Sequence, residues 1–248
     1  MSDLASAKLE QNVLRVTLAR PQKKNAIVSE MYEILIGAFS RAREEDIGAL
    51  MIEGAGGCFT AGNDLGDLLA YAYDFENAPA LRFIRALAAC ETPIVAAVEG
   101  EAVGVGATML LHCDLVYMAP SARLRAPFVE LGLVPEAAAS LLLPRRIGLA
   151  KASEFLLLGE SIDARSALEL GLANAIVEPQ ELAATALRAA QRLSAQPRSA
   201  LRATRRLLRG DSLAVLARID EEAAIFAEAL RSPQAQAAIG TAANRNRR

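Results

Sequence analysis

Glycine is concentrated in two stretches of the chain that could bring backbone amides to a ligand. Five of the fourteen residues in 54–67 are glycine, and Gly100, Gly104 and Gly106 follow a short apolar run. Glycine allows positive φ angles and a close approach of the backbone to a bound group. A helix predicted over residues 107–113 would leave its first N–H groups without partners. The two turns therefore suggest a site that stabilises a developing negative charge.

The elements on either side of these turns must position them. Alternation of apolar and polar residues, or a short continuous apolar run, predicts strands at residues 14–18, 48–53, 94–98, 123–125 and 174–177. Apolar residues at helical spacing, with caps and breakers, predict helices at residues 29–44, 81–89, 136–143, 149–158 and 163–171. A hairpin turn is predicted at Gln11 and Asn12, just before the first of these strands. The order of elements indicates an α/β fold that begins with a β-β-α unit.

The composition changes in the last quarter of the chain. From Glu181 to about Gly240 the sequence is rich in alanine, leucine and arginine, which predicts helices interrupted at Pro197 and at Gly210. We place a boundary at Pro197. Residues 1–196 are expected to form the core with the site, and residues 197–248 a helical segment that serves oligomerisation.

Composition and charge exclude several classes of function. The 248 residues carry a formal net charge of −2, so charge provides no general attraction to nucleic acid or to a membrane. No run approaches the ~20 apolar residues of a membrane span, and the first residues lack the pattern of a secretory leader. The three cysteines form no C-x-x-C pair and are expected to be buried: Cys58, Cys90 and Cys113. We expect a cytoplasmic protein without a metal site, nucleic acid or membrane as a partner.

Four motifs, taken in chain order, resemble those of one family. They are the runs LARPQKKNA at 18–26, FTAGNDL at 59–65, VEGEAVGVGA at 98–107 and CDLVY at 113–117. With them, the chain resembles the crotonase superfamily, the enoyl-CoA hydratase and isomerase proteins, over almost its whole length. The resemblance implies a crotonase-type spiral of repeated β-β-α units with a C-terminal helical segment. It also implies a homotrimer or a dimer of trimers.

The resemblance implies an acyl-CoA thioester as the substrate, bound at the two glycine-dense turns. The backbone amides of Asn63 and Val105 would donate to the thioester carbonyl oxygen, and such a donor is typically worth ~10²–10³ in rate. Coenzyme A is part of the substrate, and no separate cofactor is implied. The other residues expected to bind the substrate are Ala61, Gly62, Asp64, Leu65, Gly104, Gly106 and Lys24. A dinucleotide site at the second turn is less favoured, because the third glycine of that fingerprint is absent.

The carboxylates decide which reaction of the family is expected. Hydratases of the family use two glutamates, and the matching positions here hold Thr108 and Phe128. Isomerases that move a double bond from C3 to C2 use one glutamate, and residues 127–140 resemble that branch with Glu136 at the catalytic position. Glu130 is the rival carboxylate. The resemblance therefore favours an enoyl-CoA isomerase; the alternatives are a hydratase or another enolate-forming member, and a non-catalytic acyl-CoA binder.

The surroundings of Glu136 predict two opposite effects on its pKa. Neighbouring apolar residues, among them Leu133 and Leu141, would bury the carboxyl and raise the pKa. A place in the first turn of a helix that starts at Glu136 would favour the ionised form and lower the pKa. The sequence leaves the balance between these two effects open.

Several other residues have structural as well as functional interpretations. His112, the single histidine, lies in an apolar stretch and is expected to be an interior imidazole rather than a catalytic one. Lys23 and Lys24 could pair with CoA phosphates or lie in a solvated loop. An arginine cluster in the last quarter of the chain could form an exposed face, a subunit contact or a phosphate site: Arg202, Arg205, Arg206 and Arg209. Residues 71–81 are expected to border the acyl pocket.

Overall fold

The strands form two sheets in the computed structural model of the chain, which describes residues 4–43 and 46–245. The larger sheet has the order β1-β2-β3-β4-β6-β9, and the smaller has the order β5-β7-β8. The bounds are β1 Ala5–Glu10, β2 Val13–Leu18, β3 Ala49–Gly54, β4 Ile94–Val98, β5 Glu101–Val103, β6 Leu115–Met118, β7 Arg123–Arg125, β8 Ile162–Asp163 and β9 Ala175–Ile176. In the larger sheet only the β1–β2 pair is antiparallel; its other neighbours pair in parallel.

Helices connect and cover these strands. Their bounds are α1 Ser29–Arg41, α2 Leu65–Ala70, α3 Pro79–Ala88, α4 Val105–Thr108, α5 Ala139–Ile147, α6 Leu149–Leu157, α7 Ala164–Glu169, α8 Pro179–Ser194, α9 Arg198–Arg209, α10 Ser212–Arg231 and α11 Pro233–Arg245. Short 3₁₀ turns lie at Pro21–Lys23, Phe75–Asn77, Met109–His112 and Val129–Leu131. Within the described residues, no helix is long and apolar enough to cross a membrane.

The hairpin predicted at the start of the chain is confirmed. Gln11 and Asn12 both have positive φ, at 47° and 65°, as a two-residue turn with the twist of the flanking strands requires. All five residues of β4 are buried, which is typical of a parallel strand covered on both faces. On one face Met51 and Val95 pack in a cluster with Leu182 and Ala186 of α8, and the main core lies on the other face.

The last two helices share the main core with the rest of the chain. Ile219 and Phe226 of α10 and Ile239 of α11 belong to the same buried cluster as the strands. Phe75, which lies within the segment expected to border the acyl pocket, stacks on Phe226 with ring centroids 4.9 Å apart. Helices α10 and α11 therefore pack on the core of their own chain, and the role of residues 197–248 in oligomerisation stays a prediction.

Three of the predicted helices differ from the structure in their bounds or continuity. The helix predicted from Glu136 to residue 143 begins instead at Ala139 and contains Pro144, because Ala137 and Ala138 adopt the left-handed conformation before it. The helix predicted over residues 107–113 is split into α4 and the 3₁₀ turn at Met109–His112. The helix predicted over residues 29–44 ends at Arg41, and Glu44 lies outside the described residues. The short strand β5 was not predicted.

An ion-pair cluster around Asp114 ties α9 to the start of β4. Arg205 donates from Nε to both carboxylate oxygens at 2.8 Å, and Arg209 donates to Oδ1 from two of its nitrogens. The carboxylate also accepts the amide of Ile94 at 2.8 Å. The side chain of Arg205 is only 9% exposed. The prediction of an exposed arginine cluster is therefore wrong for Arg205, whose charge is used inside the chain.

Replacing Asp114 should destabilise the fold more than replacing an exposed ion-paired acid. Asp114→Ala leaves a buried guanidinium unpaired, and losing one partner of a buried pair typically costs about 3 kcal/mol or more. Glu33→Ala is the matched control, because its pair with Arg82 is half exposed and such pairs are worth about 1 kcal/mol at most. Urea denaturation measures both free energies of unfolding. Equal losses in the two variants would contradict the anchoring role of Asp114.

Candidate active site

Glu136 is a buried acid with an unusual set of contacts. The residue is 5% exposed, and Oε1 accepts a short hydrogen bond from the hydroxyl of Thr108. Among the described residues, the other oxygen, Oε2, is buried without a hydrogen-bond partner. Burial raises the pKa of Glu136 to about 8; the Thr108 bond opposes this rise, and the charge of Glu222 adds to it. Because Glu136 precedes the helix, the expected lowering of its pKa by a helix terminus does not apply.

The hydrogen bond to Thr108 places Glu136 beside the second glycine-dense turn. Thr108 lies three residues after Val105 in α4, so the two residues share one face of a helical turn. The backbone N–H groups of Val105 and Gly106 have no acceptor among the described residues, whereas the amides of Ala107 and Thr108 bond to the carbonyl of Gly104. The carboxyl of Glu136 thus contacts the same short helix, α4, whose first amide is unpaired.

The two glycine-dense turns pack directly against each other. Thr60 donates its amide to the carbonyl of Glu101 at 2.9 Å and accepts the amide of Val103 at 3.0 Å. Gly62 has a φ of +85°, and a Cβ built there would lie 2.5 Å from the carbonyl oxygen of Val103. A Cβ on Gly106 would lie 2.5 Å from the side chain of Thr60. Both glycines are therefore required by close backbone approach, as the sequence predicts.

The backbone N–H of Asn63 points away from the isolated parallel β-bridge that Asn63 forms with Ile27. The amides of Ile27 and Asp64 bond to the carbonyls of Gly62 and Ile27, respectively, on one side of this segment. Within residues 4–43 and 46–245, the N–H of Asn63 itself has no acceptor. The unpaired amides of Asn63 and Val105 therefore flank the contact between Gly62 and the second turn.

Tyr32 holds the side chain of Asn63 and was not singled out in the sequence. Its hydroxyl donates to Oδ1 of Asn63 at 2.6 Å. The phenol is buried, and its pKa is raised by burial first and then by the charges of Glu136 and Asp67. No motif marks Tyr32, which lies among the apolar residues on the buried face of α1.

Several residues expected to bind the substrate make structural contacts in the first turn. Asp64 caps α2 by accepting from the amides of Gly66 and Asp67, and its other oxygen accepts from Arg20 at 2.7 Å. Burial alone would raise the pKa of Asp64, but these donors hold it below its usual value. The N–H of Ala61 donates to the carbonyl of Lys24, whose side chain is exposed. Leu65 starts α2.

Glu130, the rival carboxylate, is an ion-paired surface residue. Arg125 donates to both of its oxygens, at 2.8 and 2.7 Å, and the side chain of Glu130 is 47% exposed. Phe128, two residues earlier, is buried. The two positions that the resemblance assigns to the acids of hydratases are thus occupied by the hydroxyl side chain of Thr108 and the buried phenyl ring of Phe128.

His112 is an interior imidazole, as the sequence predicts. It is buried, and its Nε2–H donates to the carbonyl of Ala137 at 2.8 Å. Burial lowers the pKa of His112 to about 4, so the ring is neutral. The three cysteines are buried and free, and in the described part of the chain no group of three or more His, Cys, Asp or Glu side chains could hold a metal ion.

Comparisons with known proteins identify the family of the chain. A sequence model of the enoyl-CoA hydratase/isomerase family matches residues 8–242. Enoyl-CoA delta isomerase 2 of Rattus norvegicus is 32% identical over 86% of this chain, which spans 56% of the rat protein's length. A 1,2-epoxyphenylacetyl-CoA isomerase of Escherichia coli K12 is 36% identical over 79% of this chain and 78% of its own. A probable enoyl-CoA hydratase of Mycobacterium leprae is 37% identical over 77% and 76%, respectively.

Solved structures extend the match to the fold. An enoyl-CoA hydratase/isomerase from Pseudoalteromonas atlantica superposes with a TM-score of 0.91 at 40% identity, covering 98% of this chain and 97% of its own. OdaA of Pseudomonas aeruginosa gives a TM-score of 0.93 at 40% identity, covering 97% and 98%. The crotonase-type α/β fold expected from the sequence is confirmed. The chain is an enzyme of the enoyl-CoA hydratase/isomerase family, within the crotonase superfamily.

Proposed function

We propose that the protein is an enoyl-CoA isomerase that moves a double bond from C3 to C2 of an enoyl-CoA. The observation that carries the proposal is the buried Glu136, held by Thr108 beside the turn that contains Val105 and left with one oxygen unpartnered. An acid in this state can both take up and return a proton. One such group is sufficient for isomerisation, whereas both acids expected of a hydratase are replaced, by Thr108 and Phe128.

The reaction proceeds through a dienolate. The ionised carboxylate of Glu136 removes a proton from C2, and the electron pair of that C–H bond delocalises onto the thioester oxygen and the C3–C4 double bond. The amides of Asn63 and Val105 donate to this oxygen as its charge develops. The protonated Glu136 then delivers the proton to C4, which leaves a double bond between C2 and C3. No proton is gained or lost in the cycle.

Further parts of the proposal concern binding and assembly. The exposed side chain of Lys24 supplies a positive charge for a phosphate of the acyl-CoA. A homotrimer or a dimer of trimers is supported by large apolar side chains that lie exposed on and after α9: Leu207, Leu208 and Leu213. The protein is expected to act in the cytoplasm.

Glu136→Gln should abolish the isomerisation of a 3-enoyl-CoA. An amide keeps the shape of the side chain but cannot take up the proton, and the loss of such a group typically lowers kcat by ~10²–10⁴. Acyl-CoA affinity, measured by calorimetry, should persist. Glu130→Gln is the matched control and should keep nearly full activity, since that residue is paired with Arg125 on the surface. Undiminished turnover in Glu136→Gln would refute the proposal, and faster hydration of crotonyl-CoA than isomerisation would favour the hydratase.

The rate should depend on pH through the ionisation of Glu136. With a pKa of about 8, the base is mostly protonated at neutral pH, so kcat/KM should rise about tenfold per unit below pH 8 and level off above it. The measurement is kcat/KM for a 3-enoyl-CoA between pH 6 and pH 9. A profile that is already level at pH 6 would show that an acid with an ordinary pKa performs the step.

Gly62→Ala should impair catalysis through the backbone of Asn63. The added Cβ would meet the carbonyl oxygen of Val103 at 2.5 Å, so the turn must shift, and a displacement of ~1 Å typically costs about 10²-fold in rate. Gly171→Ala is the matched control, because Gly171 has a similar φ of +74° but nothing lies within 4 Å of its Cβ position. The control should lose about 1 kcal/mol of stability but little kcat. Equal kcat values in the two variants would contradict the role of the turn.

A further inference from the structure

Glu222 brings a buried charge from α10 to the segment that carries Glu136. The residue is only 5% exposed, although it belongs to a helix whose neighbouring acids lie in solvent. Its Oε2 accepts the amide of Ala138 at 2.7 Å. Its Oε1 accepts the amide and the hydroxyl of Ser140, at 3.0 and 2.5 Å. One carboxylate thus satisfies three donors at the start of α5, which has no side-chain cap of its own.

The segment held in this way is strained. Ala137 and Ala138 have φ angles of 59° and 55°, in the left-handed region that is unfavourable for alanine. Such a conformation persists only where the surroundings determine it. Two contacts do so here: His112 donates to the carbonyl of Ala137, and Glu222 accepts the amide of Ala138. Ala137 and Ala138 follow Glu136 directly in the chain, so their conformation fixes the direction in which the side chain of Glu136 leaves the backbone.

We propose that Glu222 is a positioning residue for the reaction: it holds the left-handed turn at Ala137 and Ala138 in the form that presents Glu136 beside Thr108. Glu222 does not touch the reacting atoms. The inference rests on the proposed role of Glu136 as the base. It assigns to the C-terminal helical segment a part in catalysis within its own chain, in addition to any part in assembly.

The charged groups around Glu136 and Glu222 determine how the positioning role of Glu222 can be measured. The negative charge of Glu222 on α10 raises the pKa of Glu136, and the charge of Glu136 in turn raises the pKa of Tyr32 on α1. His112, which donates to the carbonyl of Ala137, is neutral. Glu222 itself lies near Arg218, which donates to the hydroxyl of Ser140. Burial raises the pKa of Glu222, and its bonds to Ser140 and Ala138 oppose this. Removing its negative charge should therefore lower the pKa of Glu136.

The test uses the full chain with substitutions at Glu222. Glu222→Gln keeps an acceptor oxygen but loses the charge, and Glu222→Ala loses all three hydrogen bonds. We expect kcat for a 3-enoyl-CoA to fall about tenfold in the first variant and about 10²-fold in the second, with KM nearly unchanged. The midpoint of the pH profile of kcat/KM should move to lower pH in Glu222→Gln. In a Glu136→Gln background, a change at Glu222 should cause no further loss of kcat.

The control separates positioning from stability. Asp211 caps the same helix by accepting from the amides of Leu213 and Ala214, but it lies eleven residues before Glu222, about 16 Å along the helix. Asp211→Ala should lower the urea midpoint and leave kcat and the pH profile intact. If both Glu222 variants keep the kcat and the pH midpoint of the original protein, the inference is overturned. It is also overturned if the loss of kcat in each variant equals the fraction of that variant that is unfolded. If Glu136→Gln stays active, the proposed function fails instead, whatever the Glu222 variants do.

Discussion

The carboxyl of Glu136 is buried without a cationic partner among the residues that the structure describes, and much of the surrounding structure follows from that constraint. A buried acid with one hydrogen-bond donor favours its neutral form, so its pKa rises to about 8 from an ordinary value of 4.5. An unfolded chain releases this proton near pH 4.5, whereas the folded chain keeps it. The contribution of Glu136 to stability is therefore fully present below pH 4.5 and decreases as the pH rises towards 8. At neutral pH the protein maintains this acid, and the strained turn after it, against a cost in stability.

The proposed site for the thioester oxygen is built from backbone rather than from side chains. The bridge between Thr60 and Ala102 sets the two glycine-dense turns in register, and the absence of side chains at Gly62 and Gly106 lets them meet. The positions of the amides of Asn63 and Val105 therefore depend on strand pairing in β5 and on close packing. Backbone donors fixed in this way need little reorganisation when charge develops on a bound carbonyl.

The sequence predicts the strands and glycine turns well, because period-2 alternation and positive φ leave local signals. The hairpin at Gln11 and Asn12 and the strand at 94–98 need no information from elsewhere in the chain. The start of α5 could not be predicted, since Ala137 and Ala138 take the left-handed conformation only through contacts with His112 and Glu222 from other elements. Glu222 did leave a signal: an acid three residues after Ile219 and four before Phe226, on the apolar face of α10.

The character of the site argues for a proton that returns to the substrate rather than for added water. A base that takes a proton from C2 and gives it back at C4 must act as base and acid in turn, which a pKa near the working pH favours. A hydratase must also hold and orient a water molecule, for which a second polar group is needed. At the matching position the chain places Phe128, whose buried ring offers no hydrogen bond, while Glu130 is engaged with Arg125 at the surface. At the other matching position, the hydroxyl of Thr108 donates to the carboxyl of Glu136. The residues at these two positions thus support the proposed isomerisation over the addition of water.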